Sequence, residues 1–308
     1  MRTFVFTCLL LLGMTTFAQD ANFHIYLCLG QSNMEGNAKV EEQDTVAVDS
    51  RFQVLAAVDC PNLGRTKGNW YKAVPPLARC YTGLTPGDYF GRAMVANLPS
   101  NVRVGIINVA VGGCRIELFD KDNYQSYVET SPDWLKNMVK EYGGNPYARL
   151  VEMAKLAQKD GVIKGILLHQ GESNTNDKDW PLKVKGVYDN LLNDLGLSAA
   201  NVPLLAGEVV HADQNGVCAS MNTIIDSLPQ VIPTAHVISS AGCPAAFDNL
   251  HFTAEGYRML GARYAAKMLS ILGYGDWTSA QNMKLWYNRP AQDWLEALPL
   301  GNSRLGAM

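Results

Sequence analysis

The chain has 308 residues, 47% of them apolar, enough for one large globular domain with an appendage. Lys and Arg number 26 against 29 Asp and Glu, giving a net charge of −3 with no block of like charge; a nucleic-acid partner is not expected. No cysteine spacing is CxxC or otherwise zinc-like, and the histidines at 24, 169, 211, 236 and 251 form no HxxxH or HxH pair, so neither a metal nor another cofactor is expected.

Met1–Thr7 carries one basic residue, Cys8–Met14 is apolar, and Thr16-Phe17-Ala18 ends in small residues. These are the parts of a signal peptide over 1–18, cleaved after Ala18, and they predict a secreted or periplasmic protein. The apolar run is too short to span a bilayer, and no later stretch approaches the roughly 18 residues required, so no membrane span is expected. Cleavage leaves six cysteines: Cys60–Cys80 and Cys218–Cys243 are candidate disulfides, whereas Cys28 and Cys114 lie in apolar runs and read as buried thiols.

From residue 24 onward apolar runs read as buried strands at 24–29, 102–109, 162–168, 202–209 and 235–239. Thr85-Pro86-Gly87-Asp88 opens the first intervening helix with a cap, a proline and an acid. Asn145-Pro146 opens a second that Gly161 closes, a third carries Val184, Val187, Leu191 and Leu195, and the last runs from Thr253 to about Leu272. This alternation predicts an α/β fold with a five-stranded parallel sheet covered on both faces. The intervals 44–76 and 120–144 read as loops that set specificity.

Reactive residues gather at the carboxyl ends of these strands, where open parallel sheets bind ligands. Gly30-Gln31-Ser32-Asn33-Met34 places a serine directly after the first strand; it is a candidate nucleophile, or simply a helix cap, and Met34 excludes a GxSxG elbow. Gly112-Gly113 follows the second strand, either as a tight turn or to aim the Gly113 N–H at a developing negative charge. His169-Gln170-Gly171-Glu172-Ser173-Asn174 follows the third and is expected to line a wet cleft, with the Gln170 amide as a further oxyanion donor and His169 as a structural imidazole hydrogen-bonded in the rim. Gln31, Asn33 and Asn174 are the candidate substrate-binding side chains. Asp248-Asn249-Leu250-His251 places an acid three residues before a histidine, so that Asp248 can hold the ring through Nδ1 and free Nε2 to take a serine proton; the alternative is a solvated loop histidine.

At Gly30–Met34, Gly112-Gly113, His169–Glu172 and Asp248–His251 the sequence resembles the SGNH (GDSL-like) hydrolases, and within them carbohydrate esterase family 6, the acetylxylan-esterase group that shares a domain type with sialate O-acetylesterases. The resemblance covers residues 23–272 and implies a three-layer α/β/α SGNH-hydrolase fold. It also implies Ser32 as nucleophile, His251 as general base, and an oxyanion hole of the Ser32 N–H, the Gly113 N–H and Gln170. Many relatives carry Asn where Gln170 stands, so a differently shaped hole is expected. Asp248 is the favoured acid, because its short tether lowers the entropy of orienting His251, with Glu172 as the alternative or assisting acid. The implied function is a serine esterase deacetylating plant polysaccharide such as xylan or xyloglucan; the alternatives are a sialate O-acetylesterase and, more distantly, a non-catalytic glycan-binding module.

Beyond a linker at 273–284, residues 285–308 resemble the opening of a family 95 glycoside hydrolase, an α-L-fucosidase, except that Ser303 replaces the usual glycine. The segment reads as the start of a fused fucosidase domain or as a docked tail carrying Trp286 and Trp294.

Overall fold

In the computed structural model, the described residues are 19–274 together with 300–301 and 306–307; the expected signal peptide and most of the fucosidase-like segment lie outside them. The chain divides into two units, Met1–Asp276 and Trp277–Met308. Of the second, an antiparallel strand pair, Leu300–Gly301 with Gly306–Ala307, is described.

The first unit is built on a seven-stranded mixed sheet. Its strands are β1 (Asp20–Gly30), β2 (Phe52–Leu55), β3 (Trp70–Lys72), β4 (Arg103–Ala110), β5 (Gly161–His169), β6 (Leu204–Gly207) and β7 (Ala235–Ile238), in the order β3-β2-β4-β1-β5-β6-β7. Only β3 runs antiparallel to its neighbour. The expected sheet of five parallel strands is therefore too small. The five expected strands are present, and β2 and β3 extend the β4 edge from within the interval read as loop.

Central strand β1 is apolar on both faces because both are covered. Ile25, Leu27 and Leu29 join the core under α3 (Pro146–Ala157) and α4 (Trp180–Leu195). Tyr26 points the other way, its ring 4.8 Å from Phe90 of α1 (Pro86–Asn97), which packs against α5 (Ala254–Ile271). A shorter helix, α2 (Asp133–Glu141), occupies the interval between β4 and α3. The result is three layers, α/β/α. Thr85 caps α1, and Asp88 completes the capping box. The second helix ends at Ala157 rather than Gly161, which instead begins β5 and pairs with Asp20 of β1.

Cys60 and Cys80 are joined by a disulfide, while Cys218 and Cys243 remain separate thiols. Cys28 and Cys114 are buried thiols. Among the described residues no helix is long and apolar enough to cross a membrane.

Register positions the site. Gly30, the last residue of β1, pairs with Ala110 of β4 on one side and His169 of β5 on the other, so three strands end level. Gly30 has φ +149°, and a Cβ there would lie 2.0 Å from the His169 carbonyl oxygen; only glycine lets the chain leave the sheet here.

Candidate active site

The level strand ends bring Ser32, the Gly112-Gly113 turn and Gln170–Asn174 to one rim, and the loop before α5 adds Asp248 and His251. Ser32 opens a one-turn helix, Ser32–Glu35, with its side chain almost buried. Its Oγ lies 2.8 Å from His251 Nε2, and His251 Nδ1 lies 2.7 Å from Asp248 Oδ2. Asp248 Oδ1 also accepts from the backbone N–H groups of Leu250 and His251, both at 3.0 Å, which fixes the carboxylate relative to the ring. The residue-32 hydroxyl, imidazole and carboxylate thus form one hydrogen-bonded series, the arrangement that lets a hydroxyl lose its proton to a neutral ring as it attacks a carbonyl.

Gly113 has φ +69°, and neither its N–H nor that of Ser32 finds an acceptor among the described residues. Gly112 N–H donates to Glu35 Oε1 at 3.1 Å, and Gly113 O accepts from Ser173 Oγ at 3.0 Å, so the turn is held from two directions.

Most polar atoms of the amides that the sequence assigned to the oxyanion hole or to substrate are occupied internally. Gln170 is fully buried: its Oε1 accepts from Trp180 Nε1, and its Nε2 faces Gln31 Oε1 at 3.1 Å, Asn174 Oδ1 at 2.8 Å and Cys114 O at 3.3 Å. Two amide hydrogens already face three acceptors, so Gln170 has no free donor for an oxyanion. Gln31 also accepts from Ser173 N–H, and Asn174 ties Ile116, Glu117 and Asp177 together. Asn33, fully buried, donates to Glu172 Oε1 and, at 3.1 Å, to Leu250 O, while accepting from Tyr257 OH at 2.6 Å. Asn33 and Asn174 are ties within the protein; Gln31 is tied through its Oε1, and its Nε2 finds no acceptor among the described residues. The expected wet cleft at His169–Asn174 is accordingly a buried polar layer under the rim. His169 lies within it without a hydrogen-bond partner among the described residues, 3.7 Å from Glu172 Oε1, and burial alone lowers its pKa to about 3. It is a neutral core imidazole, packed edge-on to Phe252.

Residues 22–270 match the family model of a carbohydrate esterase, sialic acid-specific acetylesterase. The chain belongs to this carbohydrate esterase family. The esterase is 25% identical over 264 residues to a probable carbohydrate esterase of Arabidopsis thaliana, At4g34215, a match covering 80% of this chain and 90% of the relative. Its fold is similar to the X-ray structure of that Arabidopsis protein, with a TM-score of 0.62 and 22% identity over 82% of this chain and 99% of the other. It is also similar to NanS, with a TM-score of 0.59 and 14% identity over 83% and 99% of the two chains. A carbohydrate acetylesterase from Xanthomonas citri, XAC1771, gives a TM-score of 0.55 and 18% identity over 80% and 56%. The family makes the esterase a hydrolase of carbohydrate esters.

The two candidate acids of the esterase differ in surroundings. For Asp248, burial favours the neutral form, but the hydrogen bonds from the His251 ring and from two backbone N–H groups outweigh it and hold the pKa below the ordinary value. For Glu172 burial wins over its bond from Asn33, and the pKa is raised. Glu172 makes no hydrogen bond to His251.

Sequence reasoning passed over Glu35, Arg79, Trp180 and Tyr257. Arg79 bonds Glu35 at 2.6 Å and Glu141 at 2.5 Å, bracing the carboxylate that holds Gly112. Glu35 was detectable, standing one helical turn after Ser32. Trp180 and Tyr257 sit in ordinary helical patterns that carry no such signal.

Proposed function

We propose that this protein is a secreted or periplasmic serine esterase that removes O-acetyl groups from plant cell-wall polysaccharide, acetylated xylan or xyloglucan, as a family 6 carbohydrate esterase of SGNH type. The hydrogen-bonded series from Ser32 Oγ through His251 to Asp248 carries the reading. His251 Nε2 takes the Ser32 proton as Oγ attacks the acetyl carbonyl, and the N–H groups of Ser32 and Gly113 bind the resulting oxyanion. The sugar oxygen leaves with the proton from His251. Water, deprotonated by His251, then hydrolyses acetyl-Ser32 to acetate and free serine. Each N–H is expected to contribute about 3–4 kcal/mol of transition-state stabilisation.

A cavity of about 630 Å³ lined by Glu35, Lys39, Arg79 and Glu141 lies beyond the one-turn helix of Ser32, and none of Ser32, Gly113, Asp248 and His251 lines it. The family description and the likeness to NanS favour sialate as a second substrate reading. The fucosidase-like segment from residue 285 fits a protein that strips acetyl and fucosyl groups from one polysaccharide.

Acetate release from acetylated xylan, xyloglucan and O-acetylated sialic acid separates these readings. Release from the plant glycans, abolished by Ser32→Ala, is the expected result. Release from the sialic acid alone would transfer the activity to sialate, and binding without release from any glycan would leave a glycan-binding module.

A further inference from the structure

Trp134, near the start of α2, is 53% exposed, although an indole is a costly group to leave in water. It lies against the proposed oxyanion turn: a Cβ on Gly113 would come within 2.6 Å of the indole Cη2. The base loop adds Phe247, next to Asp248 and 99% exposed, and Val217, 63% exposed, whose N–H donates to Asn249 O at 3.0 Å. Apolar residues scattered singly over a surface need no explanation, but these three adjoin the segments that carry Gly113 and His251.

We propose that Trp134 is the sugar platform of this esterase: the pyranose bearing the acetyl group packs its C–H face on the indole while the ester carbonyl meets the Ser32 and Gly113 N–H groups. Phe247 bounds the same site on the side of the base. The proposal rests on the carbohydrate O-acetylesterase reading. An acetyl group alone offers little contact, so most of the binding energy must come from the sugar attached to it. With a carbonyl held at Gly113, the indole resting on that glycine is the adjoining apolar surface for the attached ring. A pyranose combines an apolar face with a polar edge, which matches an indole half in water. Glu35 and Ser173 anchor the glycine turn independently, so shortening Trp134 leaves the turn held.

Trp134→Ala and Trp134→Phe are to be compared with wild type on acetylated xylo-oligosaccharides and on 4-nitrophenyl acetate. KM for the oligosaccharide is expected to rise about tenfold in the alanine variant, the loss of roughly 55 Å² of apolar contact, with kcat changed less than about twofold. The ratio of oligosaccharide to small-ester kcat/KM falls at least about fivefold, and phenylalanine restores most of it. Calorimetry of oligosaccharide binding to Ser32→Ala protein should show the same loss when Trp134→Ala is added and little loss when Trp134→Phe is added. An equal fall on both substrates, or a fall in kcat with KM unchanged, overturns the proposal by giving Trp134 a structural role. Wild-type protein that releases acetate from no glycan would instead overturn the esterase reading on which it rests.

Discussion

Two carboxylates stand near His251, and only Asp248 touches it. Asp248 Oδ2 meets His251 Nδ1, whereas Glu172 is spent on Asn33. Exchanging Asp248 for Asn keeps the shape but favours the wrong ring tautomer, so kcat/KM on an acetyl ester is expected to drop about 10³–10⁴-fold. Glu172→Gln acts only through Asn33 and should cost about tenfold or less; the reverse ranking would transfer the acid role to Glu172. Because the folded Asp248 pKa is lowered, its contribution to stability is present above the ordinary carboxylate value and is lost as pH falls through the folded one. Asn33, next to Ser32, donates to the carbonyl of Leu250, next to His251, and so ties the two segments together. Steady-state kinetics of Asn33→Ala should show a fall of about 10–100-fold in kcat with KM little changed, because the alignment of Ser32 with His251 loosens; an unchanged kcat would remove Asn33 from the alignment. The convergence of Ser32, Gly113, Asp248 and His251 on one rim was legible because each follows a strand end or precedes a helix in a short motif. Gln170 was misread because nothing in sequence shows which partner an amide finds, and its partner Trp180 lies ten residues on, inside a helix.

Elements buried on both faces announced themselves. The strands β1, β4 and β5 carry the apolar stretches Ile25–Leu29, Val104–Ile107 and Gly165–Leu168, whereas β2 has four residues including a partly exposed Gln53, and none of the three residues of β3 is fully buried. Strands so short resemble loop until their neighbours are known. The start of α1 was legible, and its capping box has a further effect. Asp88 is fully buried and accepts from Thr85 N–H at 2.9 Å; burial raises its pKa to about 8, against the lesser effects of that bond and of Arg92 and Arg65. Between the unfolded value and about 8 the native state keeps a proton that the unfolded chain releases, so stability falls as pH rises through this window. Asp88→Asn, which preserves an acceptor for Thr85, should gain Tm relative to wild type steadily from about pH 4 to about pH 8. A pH-independent difference in thermal melts would show that Asp88 is ionised in the fold.

At the scale of the molecule, a sheet with helices on both faces supplies the core, and the disulfide closes a separate excursion. Cys60 and Cys80 are 20 residues apart, a loop whose closure limits the unfolded chain by about 3 kcal/mol. Urea unfolding of the Cys60→Ser, Cys80→Ser protein should register a loss of that order; no change would mean that the bridge is open in solution. The layered fold was readable from alternation alone, while the sheet order was not, because pairing across β4, β1 and β5 joins segments far apart in sequence. That pairing makes the site, since it sets Ser32 beside a glycine turn about eighty residues away and, with the last loop, beside His251. Mass spectrometry after treatment with a serine-directed phosphonate tests this convergence most directly. The account predicts one phosphonyl group, on Ser32, with labelling lost in His251→Ala. Modification at another serine, or an unmodified chain under conditions that label other serine esterases, would contradict it.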